Sequence, residues 1–374
     1  MDNSFICKVD RRCFLKNSAA LGSAAFIASC TGGGGGGLVS GVTGPDGSGS
    51  PENTTRGTSS ADAMPRRILG KTGLAVSVLS FGGGSAFYVS GSKEARLEKV
   101  EKAFQQGINY FDTCSQYAYD SSAGTSEEAI GEALSQYPRD QYVVQTKWEP
   151  RESGDFDRAV TKPDDLHADV EKSLTALRVD KIDIWLRHWW SGTDLNRGGM
   201  EYWEEMQKIK DEGLVGAIGF SCMNTDPNNY KNTILAIEPD VVLLAMNPAQ
   251  YEDVAGIVMP TVREKNTGFT AMKTMAGLDQ AGTAEERLDY ALNAYDGVAS
   301  ACVGFRQLED IDEDAEIVKR IVDDGTGVKN RKIKRDYAEL ERRFRPYASP
   351  KYLYWARPDY VDGRPYGRDV ITYV

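Results

Sequence analysis

The chain is poor in the residues that build metal and disulfide chemistry. It has two histidines, His167 and His188, and six cysteines among 374 residues. Three of those cysteines lie in the first thirty residues, and Cys114, Cys222 and Cys302 are scattered without any C-x-x-C spacing. That pattern excludes a disulfide framework and a zinc or iron–sulfur site, so no metal is expected. Cations are not in excess either. With 44 Lys and Arg against 55 Asp and Glu the net charge is −11, which leaves no domain-wide basic face to neutralise phosphates. Nucleic acid is therefore not an expected partner. No G-x-G-x-x-G follows the first strand-like run, which argues against a doubly wound dinucleotide fold. No apolar run reaches the length of about 20 residues that spans a bilayer.

What is present begins with Arg11 and Arg12, followed by Phe14, Leu15 and Lys16 and then twelve small and apolar residues, 18–29. This resembles a twin-arginine export signal, with the twin-arginine machinery as the implied partner. The run ends on Ile27, Ala28, Ser29 and Cys30, similar to the lipobox of bacterial lipoproteins. Cleavage before Cys30 would leave a terminal cysteine for acylation, and several acyl chains anchor a protein stably. The implied location is exported, periplasmic or cell-envelope, with a lipid anchor at Cys30. Residues 1–30 thus read as the signal. Residues 31–63, rich in Gly, Ser and Thr, read as a flexible linker.

Residues 64–325 alternate short apolar runs with amphipathic ones. The strand-like runs are VSVLSFG, INYFD, YVVQTK, IDIWLRH, VGAIGFS, DVVLLAMN, GFTAMK and ASACVGF. Helical segments between them include SKEARLEKVEKAFQQG, SEEAIGEALSQY and AEERLDYALNAYD. Thr125, Ser126 and Glu128 give a capping-box start, and Gly107 and Gly213 mark helix ends. Nearly continuous apolar strands alternating with helices imply a parallel sheet covered on both sides. Eight such units fit an α/β (β/α)8 TIM barrel. RRILGKTGLAV, ahead of the first barrel strand, reads as an N-terminal β-hairpin placed to plug the barrel bottom. Residues 326–374, rich in Arg, Tyr and Pro, form a C-terminal extension in which RDYAELERRF reads as a helix.

In such a barrel, chemistry sits where the strands end at their C-terminal side. Strand two ends on Asp112, three on Lys147, four on His188, five on Ser221, six on Asn247 and seven on Lys273, with Tyr117 and Tyr119 in the loop after Asp112. Each alone has an ordinary structural reading: a turn cap, a snorkelling lysine, a packed histidine. His167, mid-helix, reads as structural. Together the rim residues suggest proton transfer. A phenol of ordinary pKa near 10 is a poor acid at neutral pH. A neighbouring ammonium favours its phenolate, an aspartate compensates the buried ammonium, and a histidine can hydrogen-bond a carbonyl oxygen.

FDTCSQY, QTKW, DIWLRHW and GFS, in this order and spacing, resemble the aldo/keto reductase family, as do RILGKTGLAVSVLSFGGG, SEEAIGEAL and VGFRQLEDIDED. The resemblance covers about residues 65–320. It implies an NAD(P)-dependent oxidoreductase interconverting a carbonyl (aldehyde, ketone or sugar) and an alcohol by hydride transfer. Tyr117 would be general acid, Lys147 and Asp112 its tuning pair, and His188 the substrate-orienting group. Gly83, Ser221, Asn247 and Lys273 would meet the nicotinamide half of the cofactor, and Gly304, Arg306 and Gln307 its far end. Tyr119, Trp148 and Trp189 would line the substrate pocket.

Three departures stand out. Cys222 replaces the asparagine often found after the strand-five serine. Trp190 stands where a proline commonly follows the His-Trp pair. The nucleotide-facing helix carries Glu309, Asp310, Asp312, Glu313 and Asp314 against Arg306. A 2′-phosphate prefers several cations, so NADP is the implied cofactor with NAD open. Two alternatives also stay open: a non-catalytic nucleotide-binding, redox-sensing barrel, and a Schiff-base lyase using Lys147 or Lys273.

Overall fold

Alternating apolar runs and capped amphipathic segments resolve into a closed barrel in a computed structural model of the chain. The structure describes residues 63–88, 91–117, 124–149, 162–190, 195, 199–223, 226–250, 254–275, 278, 281–322 and 336–348. The signal, most of the linker, Cys30 and Tyr119 lie outside the described residues. A short antiparallel pair comes first, β1 (Arg66–Ile68) with β2 (Ala75–Ser77). The barrel strands are β3 (Leu79–Gly82), β4 (Tyr110–Asp112), β5 (Val143–Trp148), β6 (Ile182–Arg187), β7 (Val215–Cys222), β8 (Val241–Ala245), β9 (Gly268–Met272) and β10 (Val298–Val303). Each pairs in parallel with the next in the chain, and β10 closes the ring on β3 through Ala301 opposite Leu79. The eight strand-like runs of the sequence all become barrel strands.

Helices fill the connections: α1 (Ser85–Tyr88), α2 (Lys93–Gln105), α3 (Ser126–Leu134), α4 (Leu166–Leu177), α5 (Gly199–Asp211), α6 (Pro227–Ile237), α7 (Met259–Glu264), α8 (Ala284–Asn293) and α9 (Leu308–Ile321). The capping box at α3 is formed as its sequence requires. Thr125 Oγ1 accepts from the Glu128 amide at 3.1 Å, and Glu128 Oε2 accepts from the Thr125 amide at 2.7 Å. Gly107 and Gly213 end their helices with φ of +89° and +87°, a conformation cheap only for glycine.

Strand alternation sorts side chains between the barrel interior and the helical layer. On β5, Gln145 reaches inward to Asp112, whereas Thr146 donates to Glu127 of α3 at 2.5 Å. The hairpin packs against the N-terminal ends of the strands. Lys71 N donates to Asn266 O at 2.7 Å just before β9, and Arg67 Nη1 donates to Leu292 O and Val298 O at 2.6 and 2.8 Å. Asn109, just before β4, accepts from Ser77 N at 2.7 Å. This is the bottom of the barrel, opposite the rim that carries the polar residues.

From the C-terminal extension, α10 (Tyr337–Phe344) docks on α8. Its Leu340 and Phe344 are buried, and Glu341 accepts from Tyr290 and Tyr295, each at 3.0 Å.

Candidate active site

The strand register brings four of the expected residues to one rim. Asp112 ends β4 beside Gln145 of β5, and Lys147 lies two residues further along β5. Lys147 Nζ lies 2.6 Å from Asp112 Oδ1, donates to Asp112 Oδ2 at 2.8 Å and donates to Thr113 O at 2.6 Å. Burial alone would push the ammonium pKa down. The Asp112 carboxylate beside it outweighs that, with smaller help from Cys114 and Cys302, and holds it above its ordinary value. Lys147 is therefore a fixed positive charge at neutral pH.

Tyr117 stands over this charge, with Lys147 Nζ 5.2 Å from its ring centre. The turn carrying it is fixed by its backbone: Tyr117 N donates to Cys114 O at 3.0 Å, and its carbonyl accepts from Ser126 N at 2.9 Å. His188 completes the group, its ring 5.9 Å from that of Tyr117 and nearly perpendicular at 80°. His188 N donates to Trp148 O at 2.8 Å, which sets the histidine at the β6 end beside β5. Trp189, next in the chain, has φ of +55°, an uncommon state for a bulky residue, and its indole lies 5.8 Å from the imidazole.

Sequence reasoning missed the support behind these residues. Gln145 Nε2 donates to Asp112 Oδ1 at 2.6 Å, and Tyr110 donates its hydroxyl to Gln145 Oε1 at 2.6 Å. Burial holds the Tyr110 phenol well above its usual pKa, so it stays a donor and fixes which way the Gln145 amide faces. Glu149 was missed as well; its carboxylate Oε2 lies 3.5 Å from His188 Nδ1. Gln145, Lys147 and Glu149 alternate on the inward face of β5 and just beyond it, but no motif marks the carboxamide or the carboxylate.

The other expected residues divide. Ser221 is fully buried at the end of β7, and its hydroxyl has no hydrogen-bond partner among the described residues. The same holds for the hydroxyls of Thr113 and Thr274, just past the ends of β4 and β9. Three unpartnered hydroxyls at one rim suit a polar ligand, since buried polar groups are nearly always paired. Lys273, between β9 and Thr274, adopts φ of +57°. Gly83 is a clasp between β3 and β4: its amide donates to Asp112 O at 2.7 Å and its carbonyl accepts from Ser126 Oγ at 2.8 Å. The Asn247 amide is turned to its own surroundings, with Nδ2 donating to Gln250 Oε1 and Lys273 O and Oδ1 accepting from Ala249 N.

At the start of α9 the Asp310 carboxylate accepts from the amides of Arg306 and Gln307 at 2.9 and 3.0 Å. The Arg306 carbonyl in turn accepts from Lys99. Gly304 sits against Ala86, where any side chain would come within 2.8 Å of its Cβ.

Trp148 is corrected. It does not wall the pocket; alternation turns it away from Lys147 into the helical layer, tilted against Tyr202 of α5 at 5.4 Å and Trp185 at 5.9 Å. Trp190 likewise packs outward on Trp203 and Phe220, while its amide donates to Ser221 O at 3.0 Å. His167 pairs with Glu212 on the outer surface. A cavity of about 540 Å³ beside Arg67, Gly70, Asn266 and Gly297 lies at the bottom end and shares no residue with this site. Among the described residues no cluster has the ligands for a metal ion, and no helix is long and apolar enough to cross a membrane.

The fold and this rim define a barrel oxidoreductase scaffold, and the sequence places it more closely. The model of the aldo/keto reductase family matches residues 78–293, and the chain belongs to that family. It is 30% identical over 195 residues to the NADH-specific methylglyoxal reductase of Escherichia coli, a match covering 48% of this chain and 58% of that protein. It is 30% identical over 223 residues to a D-threo-aldose 1-dehydrogenase from a Pseudomonas species, covering 53% and 66%. The matched segment thus spans roughly six-tenths of these relatives. An aldo-keto reductase from Bacillus halodurans in its holo form superposes with a TM-score of 0.55 at 19% identity, covering 72% of this chain and all of that one. An aldo/keto reductase from Klebsiella pneumoniae in complex with NADP and acetate gives 0.54 at 19% identity, covering 77% and 97%. These two establish the shared fold.

Proposed function

We propose that the protein interconverts a carbonyl compound and an alcohol with a nicotinamide nucleotide, with Tyr117 as general acid. The observation that carries this reading is the buried Asp112–Lys147 ion pair set beneath the Tyr117 ring. A reduced nicotinamide, when bound, supplies the hydride that the carbonyl carbon accepts. The π electrons then pass to the carbonyl oxygen, which takes the Tyr117 proton. The Lys147 ammonium stabilises the phenolate left behind, and Asp112 keeps that ammonium in place where neither meets solvent. His188 holds the substrate oxygen beside Tyr117. Reprotonation of Tyr117 from solvent restores the site.

The same ion pair weighs against a Schiff-base lyase. That chemistry needs Lys147 as a free amine, and its ammonium is held charged by two carboxylate oxygens and a carbonyl.

Ser221, Thr113 and Thr274 supply free hydroxyls for the nucleotide. At its far end, Asp310 already takes the amides of Arg306 and Gln307 just before α9, and Glu309, Asp312 and Glu313 add negative charge. That environment favours NAD over a 2′-phosphorylated NADP, although NADP is what the family resemblance implies. The substrate class extends from small aldehydes and ketones to sugars. We further propose that the protein is exported through the twin-arginine route and anchored at an acylated Cys30 in the cell envelope, on the strength of residues 11–30.

The test is reduction of methylglyoxal, a short aldehyde and an aldose by the purified protein with NADH and with NADPH. Tyr117→Phe should lower turnover about 10²- to 10⁴-fold and leave the nucleotide Kd unchanged. Unchanged carbonyl reduction by that variant defeats the assignment. A wild-type protein that binds nucleotide yet turns over nothing would favour the non-catalytic reading. Mass spectrometry of the mature N-terminus decides the lipid.

A further inference from the structure

His188 has a carboxylate neighbour that the four-residue reading does not use. Glu149 follows Trp148 at the end of β5, so alternation returns its side chain to the face that carries Lys147. Its Oε2 lies 3.5 Å from His188 Nδ1, and the side chains are 10% and 4% exposed. Glu149 is held by its own backbone, whose carbonyl accepts from Gln116 Nε2 at 3.3 Å. Cys114 Sγ stands on the same edge of the imidazole, 3.7 Å from Nδ1. The His188 backbone is held from behind. Arg187 Nη1 donates to His188 O at 2.9 Å, and the Arg187 guanidinium packs over Trp148 and Trp190.

Within this reading of the site we propose that Glu149 is a positioning residue: its carboxylate beside Nδ1 favours the doubly protonated His188 ring, so that Nδ1–H faces Glu149 while Nε2–H, on the opposite edge, donates to the substrate oxygen. A carboxylate beside one imidazole nitrogen stabilises the positive charge of the doubly protonated ring, in which both nitrogens are donors. The charges facing His188 allow this. Lys147 and Asp112 offset one another, the Arg187 guanidinium packs over Trp148 and Trp190, and among the described residues Glu149 is the carboxylate paired with the ring. A donor with added positive character binds the oxygen more strongly as it gains charge, which is selective for the transition state. The inference rests on the proposed carbonyl reduction, and it adds a residue that no part of the Asp–Tyr–Lys–His set supplies.

The experiment uses Glu149→Gln and Glu149→Asp in the full chain, with Tyr117→Phe in parallel and methylglyoxal, a short aldehyde and an aldose as substrates. Glu149→Gln should lower kcat about ten- to a hundredfold with the nucleotide Kd unchanged, and Glu149→Asp should recover most of the loss. Nitrogen-15 histidine NMR provides a readout independent of turnover, because the chain has only His167 and His188. In the wild type His188 should keep its second proton to higher pH than in Glu149→Gln. Wild-type kcat and an unshifted His188 titration in Glu149→Gln overturn this inference while Tyr117→Phe is inactive. Full activity in Tyr117→Phe instead overturns the reading on which it rests.

Discussion

Asp112 grips the Lys147 ammonium with both carboxylate oxygens, at 2.6 and 2.8 Å, in a barrel interior where the two residues are 5% and 1% exposed. Neither charge is tolerable there alone. Asp112→Asn leaves an uncompensated buried ammonium and should cost about 3–5 kcal/mol of stability. Adding Lys147→Met to the same chain should return most of that loss without restoring activity. Urea unfolding of the single and double variants checks this, and a double variant less stable than Asp112→Asn would contradict it.

Behind that pair, Tyr110 and Gln145 form a relay of hydrogen bonds that sets the orientation of Asp112. Tyr110→Phe removes the donor from a buried carbonyl oxygen of Gln145. It should cost about 1–3 kcal/mol and loosen the Gln145 contact to Asp112. Thermal unfolding measures the cost, and a reduced kcat at constant nucleotide affinity would show that the relay reaches the site.

Ser221 separates ligand binding from folding. Its buried hydroxyl bonds to nothing among the described residues, so Ser221→Ala should not destabilise the unliganded chain and is expected to raise its Tm slightly. The same variant should weaken nucleotide binding several-fold in a fluorescence titration. A fall in Tm with unchanged binding would assign the serine to the fold alone.

Glu127 adds a pH dependence of known sign. Burial between α3 and the barrel wall raises its pKa to about 7, partly offset by hydrogen bonds from Thr146 and Ser173. A carboxyl raised above its unfolded value favours the folded state fully at pH below that unfolded value, and this is lost as pH rises through about 7. Glu127→Gln should therefore stabilise the protein by roughly 2–3 kcal/mol at pH 8, with the gain vanishing near pH 4. Asp314, raised by burial to about 7 as well, remains in both proteins and cancels from the comparison. Unfolding curves at the two pH values decide the matter.

The barrel was legible because its signals are local and repeated. Apolar runs such as VVQTK and capped helix starts such as Thr125–Glu128 depend on residues near in sequence. The rim was legible for a related reason: Asp112, Lys147 and His188 each lie at or within one residue of a strand end, and closing the barrel brings strand ends together. Trp148 was misread because the motif places it beside Lys147, while the pleat turns neighbouring residues to opposite faces. Gln145, Tyr110 and Glu149 carried no motif. Their roles exist only in cross-strand geometry, where a carboxamide four residues before a carboxylate looks like ordinary strand polarity.

The hairpin at the barrel bottom bears on how this chain folds. Through Arg67 it bonds to carbonyls 225 and 231 residues further along, at the end of α8 and the start of β10. Contacts of such sequence separation are slow to form, because the loop between them must close first. The hairpin, made before every barrel strand, thus cannot dock until the last helix–strand unit has emerged. Protection of the Ala75–Ser77 amides against hydrogen exchange would mark the moment at which the whole ring has closed, and a chain truncated before β10 should never acquire it.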